Sequence, residues 1–310
     1  MDISIIICSY NRAHNLPECF DHLLQLEGTE NIQWEIILVD NNSTDETSTV
    51  TQRYADQSTL DIRYIFEGQQ GVVFARNKGI EVSKGKYIVY IDDDIRVTPK
   101  WLRTIHDTFK EFDCDAIGGR IQIESQQPLP KWITPELYGF LGHQDFGSNP
   151  RQIDGYKEYP FGGNMAIKRR AFSLIGQFDI RVGRKGDASK KEGLFKGEEP
   201  DFFHRLANNG GTFRYHPDIL VSHKILPYQL KKGFFLTLHN NAGILEAQLN
   251  DSHHNRTLMG VPLFIFPQIF RSIGKFIYQT ITQGPNRSFR KLMNVAYFAG
   301  VIQGYYAKSR

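Results

Sequence analysis

Two periodicities alternate over the first 125 residues, and that alternation restricts the fold more than any other feature of the chain. Short runs rich in β-branched residues recur at 3–8 (ISIIIC), 34–40 (WEIILVD), 61–66 (DIRYIF), 86–92 (KYIVYID) and 115–123 (DAIGGRIQI), each bounded by turn residues, as strands are. Between them the spacing is helical. Leu16, Phe20, Leu23 and Leu24 share one face, "GVVFARNKGIEVS" follows a glycine, and Ser43 and Glu46 stand at capping-box spacing. Apolar strands joined by helical crossovers imply an α/β layer architecture with a mainly parallel sheet.

At 310 residues there is room for one large domain or two smaller ones, and 40% hydrophobic with 23% charged residues places the chain among globular proteins. Cys8, Cys19 and Cys114 are odd in number and lack CxxC spacing, which argues against a disulfide framework or a structural zinc site. The start, "MDISIIICSYNR", has an acid at position 2, a short apolar run and no basic segment. It does not read as a secretory leader, so a cytoplasmic protein is expected.

Past residue 125 the pattern loosens into proline-, glycine- and aromatic-rich loops, in which Trp132 either stacks on a ligand or packs in a core. The basic, glycine-rich stretch 182–199 reads as a loop that closes over ligands. A helix follows at "EEPDFFHRLANNG", capped by Gly210, then short strands at "GTFRYH" and "DILVSH". Residues 226–310 differ in texture. They carry ten Lys/Arg against Glu246 and Asp251, a net +8, leaving −5 on residues 1–225. Within them "GVPLFIFPQIFRSIGKFIYQTIT" sets a polar stripe at Gln268, Arg271, Ser272, Lys275, Gln279 and Thr282 on an otherwise apolar helix. "LMNVAYFAGVIQGYY" is uncharged but short of the roughly 20 residues that span a bilayer. Either the segment lies peripherally on an anionic membrane, on the inner face of the cytoplasmic membrane, or its stripe packs on the first domain. The expected division is a catalytic domain over 1–225 and a helical extension over 226–310. Nucleic-acid binding is not expected of an acidic main domain.

In an open parallel sheet ligands bind beyond the carboxyl ends of the strands. Asp40 ends the second run, and Asp92, Asp93 and Asp94 end the fourth, so both face one crevice. Adjacent carboxylates suit a hard divalent cation, Mn2+ or Mg2+, whose shell phosphate and water complete. The alternative is solvated turn acids with a helix cap ahead of "TPKWL".

Seven segments in order, "SIIICSYNR" (4–12), "WEIILVDNNSTDET" (34–47), "GVVFARNKGI" (71–80), "YIVYIDDD" (87–94), "FGGNMAIKRRAF" (161–172), "GEEPDFFHRL" (197–206) and "YHPDILVSHKI" (215–225), resemble the family 2 glycosyltransferases of the GT-A fold, notably transferases of bacterial and cyanobacterial exopolysaccharide assembly. The resemblance implies a Rossmann-like sheet flanked by helices with a C-terminal helical extension. It also implies inverting, metal-dependent transfer of a sugar from a nucleoside-diphosphate sugar to a glycan or lipid-linked acceptor. By that resemblance Ser9, Tyr10, Asn11, Arg12 and Asp40 hold the nucleotide, while Arg76 and Asn77 line the donor site unless Arg76 is a surface helix residue. Asp94 is the metal ligand, Asp92 or Asp93 faces ribose or metal, and His223 adds a metal contact or is structural. Gly163 and Asn164 approach the sugar. Glu199 or Glu198 is the general base; this chain has Glu199 where the family mostly has Asp, and first-turn acids at a helix dipole are the alternative. A catalytically silent subunit with the same fold is the competing function; a nucleotidyltransferase or Rossmann dehydrogenase is not expected, since no GxGxxG follows the first strand.

Overall fold

The computed structural model describes residues 1–183, 197–252 and 254–309; most of the expected closing loop, 184–196, lies outside them. The chain forms two compact units. One takes in Met1–Glu124, the described residues from 142 to 183, and Gly197–Lys224; the other takes in Ser125–Leu141 and the described residues from Ile225 onward.

In the first unit β1 (Ile3–Ser9), β2 (Trp34–Asp40), β3 (Asp61–Phe66) and β4 (Tyr87–Asp92) alternate with α1 (Leu16–Leu24), α2 (Thr47–Gln57) and α3 (Val72–Val82). They lie in the order β3-β2-β1-β4, all parallel, because each crossover carries a helix back to the same end of the sheet. The chain continues through β5 (Ile95–Val97), α4 (Trp101–Glu111), β6 (Ala116–Ser125), β7 (Arg151–Ile153), β8 (Met165–Lys168), α5 (Arg169–Ile175), α6 (Glu198–Asn208) and β9 (Phe213–Ile225). The sheet extends from β4 through β8, β6, β9 and β5, with β7 on β9; the pairs β4–β8, β6–β8, β5–β9 and β7–β9 are antiparallel.

Strand alternation divides the core in two. Ile5, Ile7, Leu38, Val89 and Ile91 point to the side of Phe20, Leu23, Trp101, Ile105 and Phe109 from α1 and α4. Ile6, Ile37, Val39, Ile88 and Tyr90 point the other way, onto Val73 and Ile80 of α3, Phe172 of α5, and Phe202, Phe203 and Leu206 of α6. Successive side chains leave a strand on opposite faces, so a run apolar at every position is covered on both.

Two local readings change, and the packing alternative for Trp132 holds. The segments "GTFRYH" and "DILVSH" belong to one strand, β9, with Pro217 placed between the stretch paired to β7 and the stretch paired to β5. Helix α2 starts after Glu46 and is not closed by a Ser43–Glu46 box; Asp45 accepts from the N–H and hydroxyl of Thr47 instead, at 3.1 and 2.6 Å. Trp132 packs edge-on against Phe235 and Phe289 in the second unit, with ring centroids 5.2 and 4.7 Å away. Gly210 does close α6: the N–H of Gly210 reaches the Ala207 carbonyl and that of Gly211 the Leu206 carbonyl.

The second unit is built on α7 (Lys232–Leu249), α8 (Ile265–Gln283) and α9 (Phe289–Lys308). Helices α7 and α9 touch backbone to backbone. A Cβ on Gly243 would come closer than 3.0 Å to the Tyr297 carbonyl, and one on Gly300 closer than 3.0 Å to that of Asn240. The uncharged stretch of α9 is thus explained by a helix partner. Among the described residues no helix is long and apolar enough to cross a membrane.

Candidate active site

The parallel register brings the acids together. Ser9 pairs with Asp40 across β1–β2 and Cys8 with Asp92 across β1–β4, so the strands end at one level. The loops leaving them are stitched to each other. Asn11, with φ of 51°, takes its N–H to the Ser43 hydroxyl (2.9 Å) and accepts from the N–H of Thr44 (2.7 Å). The N–H of Ala13 donates to Asp45 at 2.9 Å. Asn41 accepts from the N–H of Gly71 at 2.7 Å and donates to the Gln69 carbonyl at 2.6 Å, binding the end of β2 to the approach of α3. Asp40 is buried and accepts from the Tyr64 hydroxyl and the Ser43 N–H, at 2.7 and 2.9 Å. Tyr10 lies on the same loop, half-buried.

The three consecutive aspartates have different surroundings. Asp93 is buried: it accepts from the Ser9 hydroxyl at 2.7 Å, from Arg12 at 3.3 Å and from Asn15 at 3.4 Å. Burial pushes its carboxyl up to about 6, with Asp94 and Asp92 adding to the rise and Arg12 and Ser9 opposing it. Asp94 takes the other contact of Arg12 at 2.7 Å and faces His223, Nε2 to Oδ1 at 3.4 Å. The β5–β9 register, which pairs Ile95 with His223, brings the imidazole there. Asp92 faces Gly163, whose Cβ, if present, would lie 3.5 Å from the Asp92 carboxylate. A carboxylate and an imidazole together suit Mn2+, and the carboxylates suit Mg2+. Among the described residues no three His, Cys, Asp or Glu side chains enclose a metal, and a divalent ion that shares its shell with phosphate needs only one or two protein ligands. The donor set therefore fits such an ion.

A second charge cluster adjoins the first. Arg76, 4% exposed, leaves α3 with its guanidinium between Glu198 (3.3 Å) and Glu199 (3.1 Å) at the start of α6. It also lies over the rings of Phe178 and Tyr90, at 5.5 and 5.9 Å. Burial works against its charge, but Glu199, Glu198 and Asp92 outweigh that and make the proton still harder to remove. Arg76 is no surface residue. Burial and the two glutamates also hold the Tyr159 hydroxyl protonated, pushed up to about 12. Adjacent glycines join the clusters: Gly163 faces Asp92, and a Cβ on Gly162 would lie closer than 3.0 Å to both Arg76 and Glu199. Cys8, behind both clusters, is a neutral thiol, since burial pushes it up to about 12 despite Arg76 nearby.

Two of the expected residues face inward. Both ends of the Asn77 amide are bonded to the Phe178 main chain, at 2.9 and 3.1 Å. Asn164 accepts from the Trp101 indole at 2.9 Å and donates to the carbonyls of Ile219 and Arg120 at 2.8 and 3.1 Å, fixing the strands beneath the glycines. Asn15, Asn41 and Tyr64 are residues of this site that the sequence did not single out, whereas both glycines of "FGGN" read as points of close approach; the run "DNN" after β2 was the available signal for Asn41.

Residues 4–176 match glycosyl transferase family 2. The glucosyl-dolichyl phosphate glucuronosyltransferase of Haloferax volcanii is 26% identical over 234 residues, 74% of this chain and 71% of that protein. The succinoglycan biosynthesis protein ExoM of Rhizobium meliloti is 25% identical over 229 residues, 73% of this chain and 68% of that one. Among solved structures, mannosyltransferase PcManGT from Pyrobaculum calidifontis, in complex with GDP-Man and Mn2+, superposes with a TM-score of 0.63 over 99% of this chain and 87% of that one; at 14% identity this likeness speaks to the fold. The family match spans more than half the chain, including the strands and loops that carry the aspartates, Arg76 and Gly162, and this protein therefore belongs to glycosyl transferase family 2 as a glycosyltransferase of the GT-A fold.

Proposed function

We propose that this transferase is inverting and divalent-cation-dependent, and that it moves a sugar from a nucleoside-diphosphate donor to a glycan or lipid-linked acceptor in polysaccharide assembly. The observation that carries the proposal is the meeting, across Gly162 and Gly163, of an aspartate cluster faced by an imidazole with a glutamate pair held by one arginine. The first cluster suits a diphosphate and its cation, the second an acceptor hydroxyl. ExoM is named for succinoglycan biosynthesis, and the Haloferax relative for a dolichyl phosphate substrate, which supports a polymer or lipid-linked acceptor here.

In this reading Asp94 and His223 hold the cation, with Asp92 beside it; when bound, the ion stabilises the charge that develops on the departing diphosphate. Asp40 and the stitched loop Ser9–Tyr10–Asn11–Arg12 receive the nucleotide. Glu199 takes the acceptor proton, its side chain 18% exposed against 6% for Glu198. Arg76, paired with both carboxylates, fixes where they stand at the start of α6. The helices beyond residue 225 meet an anionic membrane surface from the cytoplasmic side. Phe270, Tyr278 and Ile281 on α8, 68%, 70% and 80% exposed, support that contact.

Calorimetric titration with UDP, GDP and dTDP, with and without Mn2+, tests the donor site. One nucleotide is expected to bind only with the metal, and Asp94→Ala to abolish that binding. Glu199→Gln is expected to keep donor binding and lower kcat by about 100-fold or more. Full transfer in both variants, each folded by circular dichroism, would sink the mechanism. Failure of every nucleotide to bind would favour a silent subunit.

A further inference from the structure

Helices α8 and α9 contain no Asp or Glu, and a cavity of about 250 Å³ opens between them. Gln268, Arg271, Ser272 and Lys275 line it from α8, Lys291 and Asn294 from α9. Positions 268, 271, 272 and 275 fall on one helical stripe, so both α8 cations are directed to the same side. Among the described residues none of Arg271, Lys275 and Lys291 forms an ion pair with a carboxylate; the two acids of residues 226–310 are engaged elsewhere, Glu246 with Tyr297 and Asp251 with Lys308. The Asn294 carbonyl accepts from Arg290 at 2.9 Å, which orients its amide nitrogen as the group able to donate. The Ser272 hydroxyl donates to the Gln268 carbonyl at 2.9 Å, and three cations with the amide donors of Gln268 and Asn294 around a small cavity match the several oxygens of a phosphate group.

We propose that this pocket binds the phosphate headgroup of an anionic lipid. The ligand chemistry is a phosphate oxyanion, and the exposed apolar residues of the same helix identify the source. Phe270, Ile277 and Ile281, spaced by seven and four, form a stripe distinct from the polar one, at 68%, 51% and 80% exposure. A helix that presents an apolar stripe to solvent on one face and cations on the opposite face lies in the headgroup boundary of a bilayer, whereas soluble phosphate requires no such stripe. The inference rests on the membrane-facing reading of the C-terminal helices and is independent of the transfer chemistry.

The test is sedimentation of the full chain with phosphatidylcholine vesicles, with and without phosphatidylglycerol. The variant Arg271→Gln/Lys275→Gln/Lys291→Gln is compared with Lys231→Gln/Arg256→Gln/Arg287→Gln, which removes equal charge outside the pocket. The wild type is expected to partition onto the phosphatidylglycerol vesicles, the pocket variant about 100-fold less, and the control variant to fall by far less. Equal losses in the two variants would overturn the pocket while leaving the membrane contact standing. No partition by the wild type would overturn the membrane reading itself. Inorganic phosphate binding by calorimetry without vesicle binding would assign the pocket to soluble phosphate and overturn the lipid. Metal-dependent nucleotide binding, measured on both variants, separates any of these results from misfolding and from failure of the donor site.

Discussion

Gly162 is where two charge clusters come within one residue of each other. Its missing Cβ leaves room for the Arg76 guanidinium and the Glu199 carboxylate. Gly162→Ala is therefore expected to displace Glu199 and lower transfer by about 100-fold, the usual penalty for a misplaced reacting group. Gly163→Ala, whose nearest neighbour would be Ile95 at 3.4 Å, is expected to keep most activity. Equal kcat/KM for both variants would show that the Arg76–Glu199 contact does not position the reaction. A second residue-level test concerns Glu35, which is buried yet accepts from Ser4 at 2.7 Å, the Lys84 N–H at 2.8 Å and Arg63 at 2.8 Å. Burial alone raises its carboxyl, and these three partners bring it below the ordinary 4.5. Because the folded value is the lower one, its contribution is present above 4.5 and is lost as pH falls through the folded value. Glu35→Gln should cost about 1–3 kcal/mol at neutral pH, with the gap to wild type closing in acid; a gap that stays constant in urea titrations at both pH values would refute this. At this scale the chemistry of the site was legible and its pairing was not. Three adjacent aspartates announce a site, but nothing in their spacing shows that Arg12 spans two of them or that Asn77 and Asn164 turn inward. Such partners come from distant segments, and local sequence carries no record of them.

The elements divide along similar lines. Strands β1 to β4 are long, apolar runs with turn residues at each end, so their positions read directly. Strands β5, β7 and β8 have three, three and four residues, too few for a period of two to stand out. Helix α7 falls inside the helical extension expected over 226–310, but its own bounds were not legible, because it buries Asn241 together with Phe235 and Leu238, which blurs its apolar stripe. The close approach of α7 and α9 supplies a test. Gly300→Ala would push a methyl group into the Asn240 carbonyl, an overpacking expected to cost about 1–3 kcal/mol. Gly274→Ala, on the exposed part of α8 with nothing within 4 Å, is expected to gain up to about 1 kcal/mol from helix propensity. Denaturant midpoints of the two variants should move in opposite directions, and a shared direction would count against backbone contact as the determinant.

At the scale of the whole chain, strand order explains where function collects. The order β3-β2-β1-β4 puts four parallel carboxyl ends along one edge, and composition alone indicated an acidic body followed by a basic segment. The antiparallel half was not legible, because β8 joins β4 only after a long excursion through irregular chain. Along the parallel edge the loops after β1, β2 and β3 are bonded side chain to main chain: Asn11 to Thr44, Ala13 to Asp45, Gly71 to Asn41. Three segments so linked behave mechanically as one plate. A molecule pressing on any of them loads the others through bonds of 2.7 to 2.9 Å, so the floor of the crevice yields as a body or holds as a body.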